Sequence, residues 1–170
     1  GCGYACHEQC HPADLAKHYA PNLEDISSDA AGQLYAGFDN GTAPLTPVSG
    51  ITVSGGIVAL APYVFAYGSD GFIQWSRAGY TDDWTNGDSG AARVTSQKIV
   101  KGLPLRSGAG NAPSGLFWSL DSVIRATYVG STAVFQFDTI TSQSSILSSQ
   151  SVIEYDGIYY WCGGDRFLMF

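Results

Sequence analysis

From Ile51 to the last residue the chain alternates between short apolar runs and clusters of turn residues. Ile57–Leu60, Tyr63–Tyr67 and Phe72–Ser76 are rich in β-branched and aromatic side chains, as are Lys98–Leu105, Leu116–Leu120, Val123–Val129 and Ala133–Asp138. Val152–Tyr155, Ile158–Cys162 and Phe167–Phe170 close the series. Runs this short fit pleated strands rather than helices, whose apolar positions recur over longer windows. Gly68-Ser69-Asp70-Gly71, Gly130-Ser131-Thr132 and Asp156-Gly157 stand between successive runs and predict hairpin turns. Ser142–Gln150 reads as a Ser/Gln loop. Many short strands at even spacing point to a sandwich, a barrel or a propeller.

The N-terminal third reads differently. Pro12–Tyr19 predicts one short helix, opened by a proline that loses no hydrogen bond there and stopped by Pro21. Residues 23–50 are rich in Asp, Ser, Gly and Pro and predict an irregular linker. The expected organisation is therefore a Cys/His-rich segment over 1–22, a linker over 23–50 and a β region over 51–170.

Trp75, Trp118 and Trp161 are 43 residues apart, twice over. Each closes a short apolar run that starts just after a glycine: Gly71, Gly115 and Gly157. A period of 40–50 residues is that of a four-stranded propeller blade. The expectation is an all-β chain with a short N-terminal helix, built of β-propeller-like blades. Three blades do not close a ring, so the reading is an incomplete propeller or a fragment of a longer chain. The apolar ending Phe167-Leu168-Met169-Phe170 gives the same expectation, because an unprotected edge strand is a liability.

Charge narrows the function. The formal net charge is −7, with eight Lys and Arg placed singly. Affinity for nucleic acid rests on cations that neutralise phosphates, so no phosphate-binding stripe is expected. No apolar run approaches the roughly 20 residues of a membrane-spanning helix.

Several blocks of the β region are specific in wording. They are Lys98-Ile99-Val100-Lys101-Gly102-Leu103-Pro104-Leu105-Arg106, the stretch from Leu116 to Arg125, and Phe137-Asp138-Thr139-Ile140. Ser144–Ser148, Val152–Trp161 and Asp165-Arg166-Phe167-Leu168 complete them. Over residues 50–170 the chain resembles virion proteins of short-tailed bacteriophages and prophages, some of which are similar to the propeller-bearing nozzle or hub of the tail. That resemblance implies a propeller, a ring of identical subunits, contacts with other tail proteins, a place in the virion and no catalysis. DNA would pass such a conduit without specific binding, and an acidic lining would repel it. The resemblance supplies no catalytic or cofactor residue to carry over, and residues 1–22 lie outside it.

Two constellations offer chemistry. Gly87-Asp88-Ser89-Gly90 matches the nucleophile motif of trypsin-like serine proteases, in which the serine needs a histidine base and an aspartate to orient it. Here the histidines are His7, His11 and His18, with no Ala-Ala-His-Cys-like context. The expectation is a polar loop over Thr85–Gly90. Cys2, Cys6, Cys10, His7 and His11 form the second cluster, in which Cys-x-x-x-Cys-His occurs twice. Thiolate and imidazole are the usual zinc ligands, and Cys-x-x-Cys-His, one residue shorter, attaches haem. Disulfides or free thiols compete with both readings. Asp82-Asp83, Glu24-Asp25 and Asp138 offer carboxylates to calcium, but Asp39-Asn40-Gly41 and Asp70-Gly71 lack the spaced oxygens of a calcium loop, and turn chemistry is the expectation. An exposed tyrosine or tryptophan would offer a face to a sugar ring, so a glycan- or receptor-binding propeller is the alternative function.

Overall fold

The computed structural model describes residues 24–28, 32–38, 46–105 and 112–170. All regular structure in them is β, apart from one 3-10 turn at Ser69–Gly71. The strands form four antiparallel sheets in chain order. Sheet A is β1 (Glu24–Ser28), β2 (Gln33–Phe38) and β3 (Thr46–Thr52). Sheet B is β4 (Gly56–Leu60), β5 (Tyr63–Tyr67), β6 (Phe72–Trp75) and β7 (Gly90–Arg93). Sheet C is β8 (Ile99–Pro104), β9 (Ser114–Ser119), β10 (Val123–Tyr128) and β11 (Phe135–Thr141). Sheet D is β12 (Val152–Tyr155), β13 (Ile158–Cys162) and β14 (Phe167–Met169). Each sheet is an up-and-down meander with neighbouring strands adjacent in sequence, which is the local pattern of a blade.

The sheets stack face on face. Ile57, Val64 and Ala66 of sheet B pack against Leu34, Ala36 and Val48 of sheet A. The opposite face of sheet B, with Leu60, Phe65, Tyr67, Ile73 and Trp75, packs against Ile99, Phe117, Ile124 and Phe135 of sheet C. The far face of sheet C, with Leu116, Trp118 and Val123, meets Tyr159 and Trp161 of sheet D. Sheets B and C are therefore covered on both sides. That explains why β4 and β5 are apolar at every position and buried throughout, instead of alternating. β13 is covered on one side only, and its burial alternates.

Aromatic side chains fill the space between sheets B and C. Phe135 meets Tyr63, Phe65 and Trp75 edge-on at centroid distances of 4.9, 4.8 and 5.5 Å. Edge-to-face pairs place the positive ring edge on the negative ring face. Gly102 lets sheet C come this close: a Cβ there would lie 2.8 Å from Phe117 and 2.9 Å from Tyr67.

The strands expected after Ile51 are present, with ends that differ by up to three residues, the most at β11, which runs to Thr141 instead of Asp138. Residues 23–50 depart from expectation, because β1, β2 and most of β3 occupy the segment expected to be an irregular linker. The alternation of Leu34 and Ala36 with Gln33 and Tyr35 carries β2, and Leu34 is fully buried. β7 was not expected either. Gly90-Ala91-Ala92-Arg93 has almost no apolar bulk, and its pairing with β6 holds it in the sheet.

The tryptophan period also needs correction. Trp75 lies on the third strand of its sheet, whereas Trp118 and Trp161 lie on the second of theirs. Trp118 and Trp161 face each other across one interface at 5.7 Å, so they are partners rather than copies. The repeat that exists is of sheets, with β4 and β8 starting at Gly56 and Ile99. The predicted helix Pro12–Tyr19 lies outside the described residues.

Candidate functional site

The Gly87–Gly90 motif closes the long connection from β6 to β7. Its order comes from Asp88. The Tyr63 hydroxyl donates to Asp88 Oδ2 at 2.5 Å, and the Ala78 amide donates to Oδ1 at 3.0 Å. The Trp75 indole N–H donates to the Asp88 carbonyl at 2.9 Å. The loop is thus tied to β5, to β6 and to the turn after β6. A second anchor lies at Asp83, whose Oδ1 accepts from the Thr85 and Asn86 amides. Arg77 Nη1 stands 3.7 Å from Asp83 Oδ2, and its guanidinium lies 4.4 Å from the centre of the Tyr80 ring.

Partial burial works to raise the Asp88 pKa, but the donors outweigh it. The Tyr63 hydroxyl, the amides of Ala78 and Asp88 itself, and the Arg77 charge hold the carboxyl below the ordinary aspartate range. Tyr63 moves the opposite way: burial, then its bond to the Asp88 carboxylate, then Tyr128 push its phenol well up. Tyr67 is pushed up to about 12 by burial, against which the Gly102 amide works. The loop keeps a carboxylate ionised and a phenol neutral, in a fixed hydrogen bond.

Among the described residues no histidine stands beside this motif. In a trypsin-like protease the triad aspartate lies well upstream of the serine, so Asp88, directly beside Ser89, would not be that residue. Here both oxygens of Asp88 are taken by Tyr63 and Ala78. The Ser89 amide donates to the Asn86 carbonyl at 3.2 Å, which makes Ser89 part of the turn. Gly90 follows because a Cβ there would lie 2.5 Å from the Trp75 ring. The histidines, His7, His11 and His18, lie outside the described residues.

Cys2, Cys6, Cys10, His7 and His11 lie outside the described residues as well. Among the described residues no group of three His, Cys, Asp or Glu is arranged to hold a metal ion. Asp82 and Asp83 lie in the braced loop as turn residues, and Asp70 and Asp156 sit in turns with positive φ of 61° and 53°. Cys162 on β13 is a half-buried free thiol. Among the described residues no helix is long and apolar enough to cross a membrane.

Most aromatic side chains of sheets B and C are inside, where no sugar could reach them. The exposed ones concentrate on sheet D. Tyr155 and Phe167 are 74% and 79% exposed. No hydrophobicity or turn signal distinguishes these positions from buried ones in the sequence, since both faces of the sheet are apolar.

No protein-family model matches the chain, and no curated protein matches it either.

Proposed function

We propose that this chain is a structural building block of a β-blade assembly, working by shape and rigidity rather than by turnover, in a virion tail of the nozzle or hub type. The observation that carries the reading is the face-to-face succession of four meander sheets, two of them covered on both sides. Sheets in this arrangement are compatible with blades, and a propeller is a closed succession of blades. Stability in such a stack comes from contacts between neighbours, which suits a part that bears load. The Asp88 loop supports the same reading, because its hydrogen bonds are spent on fastening strands.

The net charge of −7 fits a wall that DNA passes without adhering. Two measurements test the proposal. A fluorophosphonate probe is expected to leave Ser89 unlabelled; stoichiometric labelling that vanishes in Ser89→Ala would establish a hydrolase instead. Duplex DNA is expected not to bind at moderate salt, and tight binding there would rule out the conduit.

A further inference from the structure

Sheet D has two apolar faces, and sheet C covers only one. Tyr159, Trp161 and Leu168 point to sheet C. The register places Ile153, Tyr160 and Met169 in one row across the other face, with Tyr155 opposite Ile158 and Phe167 opposite Cys162. Ile153, Tyr155, Phe167 and Met169 are 65%, 74%, 79% and 71% exposed, and Ile158 39%. No charged residue occupies an outward position on these three strands; Asp156, Asp165 and Arg166 lie in the turns at the two ends.

We infer that this face pairs with the same face of a second copy, sheet D on sheet D about a two-fold axis. Three observations select that occupant. First, among the described residues the other apolar sheet faces are covered by another sheet of the same build, so the surface matches a sheet and not a small ligand. Second, with roughly 200 Å² for a fully exposed aromatic side chain, the patch offers on the order of 600 Å². The largest patches on ordinary monomers reach about 600 Å², and a stable pair of copies needs about that much from each. Third, the far side of sheet A is a poor match. There Tyr35 stands opposite Pro47, with exposed Ser49 beside it. A head-to-tail stack would cover an apolar face with a partly polar one, whereas a two-fold pair covers apolar with apolar and buries no charge.

The inference does not depend on the tail reading. Its test is sedimentation equilibrium of the full chain over a wide concentration range. The expected result is a reversible monomer–dimer equilibrium that stops at the dimer. Tyr155→Lys and Met169→Lys each place a cation in the pair and are expected to weaken it about 30-fold or more. Leu120→Lys, at an exposed position outside sheet D, is expected to change nothing. Both sheet D side chains are exposed, so far-ultraviolet circular dichroism should be unchanged; if Met169→Lys loses it, Tyr155→Lys decides alone. A monomer at all concentrations overturns the inference, as does a dimer indifferent to both substitutions. Trimers or larger species sensitive to them also overturn the two-fold pairing, yet leave the structural role intact. Labelling of Ser89 would have the reverse effect.

Discussion

Asp88 is a residue whose chemistry serves the fold. Its carboxylate receives the Tyr63 hydroxyl and the Ala78 amide, so removing the hydroxyl leaves a partly desolvated charge short of a donor. Hydrogen bonds to charged groups contribute about 1.5–3 kcal/mol, and Tyr63→Phe is expected to cost that much in urea unfolding. The sign with pH follows from the depressed pKa. The carboxylate stabilises the fold above the unfolded aspartate value of about 4, and that contribution is lost as pH falls through the lower folded value. The acid limb of stability should therefore flatten in Tyr63→Phe. At the alkaline end the phenols behave oppositely. Tyr63 and Tyr67 stabilise the fold while neutral, fully so below about pH 10, and the contribution disappears as pH rises through their raised values. Difference absorbance of tyrosinate should show Tyr67 ionising near pH 12, together with unfolding. A normal titration of all ten tyrosines in the folded protein would contradict its burial.

At the scale of elements, the sequence was most legible where turn chemistry and apolar runs agree. Asp156-Gly157 is the clearest case: both residues have positive φ, 53° and 77°, as a two-residue hairpin between twisted strands requires. Gly68–Gly71 is another, with Asp70 and Gly71 at 61° and 68°. Sheet A was not legible, because the Gly, Ser and Pro content of residues 23–50 masked the Leu34–Ala36 alternation. β7 was hidden because its partner supplies the bulk: the Trp75 ring lies over Gly90. The equal tryptophan spacing misled because spacing carries no facing, and Trp118 and Trp161 look at each other from neighbouring sheets. The Asp88 loop was legible as a loop, but its bracing by Tyr63 joins residues 25 apart and leaves no local signal. Gly102 shows how one position sets the distance between sheets. Gly102→Val would drive a branched side chain into Phe117 and Tyr67. Overpacking typically costs about 1–3 kcal/mol, so a lower thermal midpoint with unchanged far-ultraviolet circular dichroism is expected.

The whole molecule is a row of layers, and position in the row should set local stability. Sheet C shares one apolar interface with sheet B and another with sheet D, so exposing its strands means breaking both. The three strands of sheet D rest on a single interface. In a stack held by neighbour contacts, an outer layer opens without the inner ones, but an inner layer does not open without its neighbours. Amide hydrogen exchange should thus be slowest in β5, β9 and β10, where Phe65, Phe117 and Ile124 are almost fully buried, and faster in β12–β14. Trp118→Ala sharpens the expectation. It removes one of the two tryptophans from the interface of sheets C and D, where Trp118 meets Tyr159 and Trp161, and among the described residues its Nε1 has no hydrogen-bond partner to lose. Truncating a buried tryptophan costs about 3–5 kcal/mol. In a stack, most of that loss falls on sheet D: exchange in β13 should accelerate strongly, while β4 and β5 keep their protection. Equal acceleration in all four sheets would mean a single cooperative core, with no independent layers for an assembly to extend.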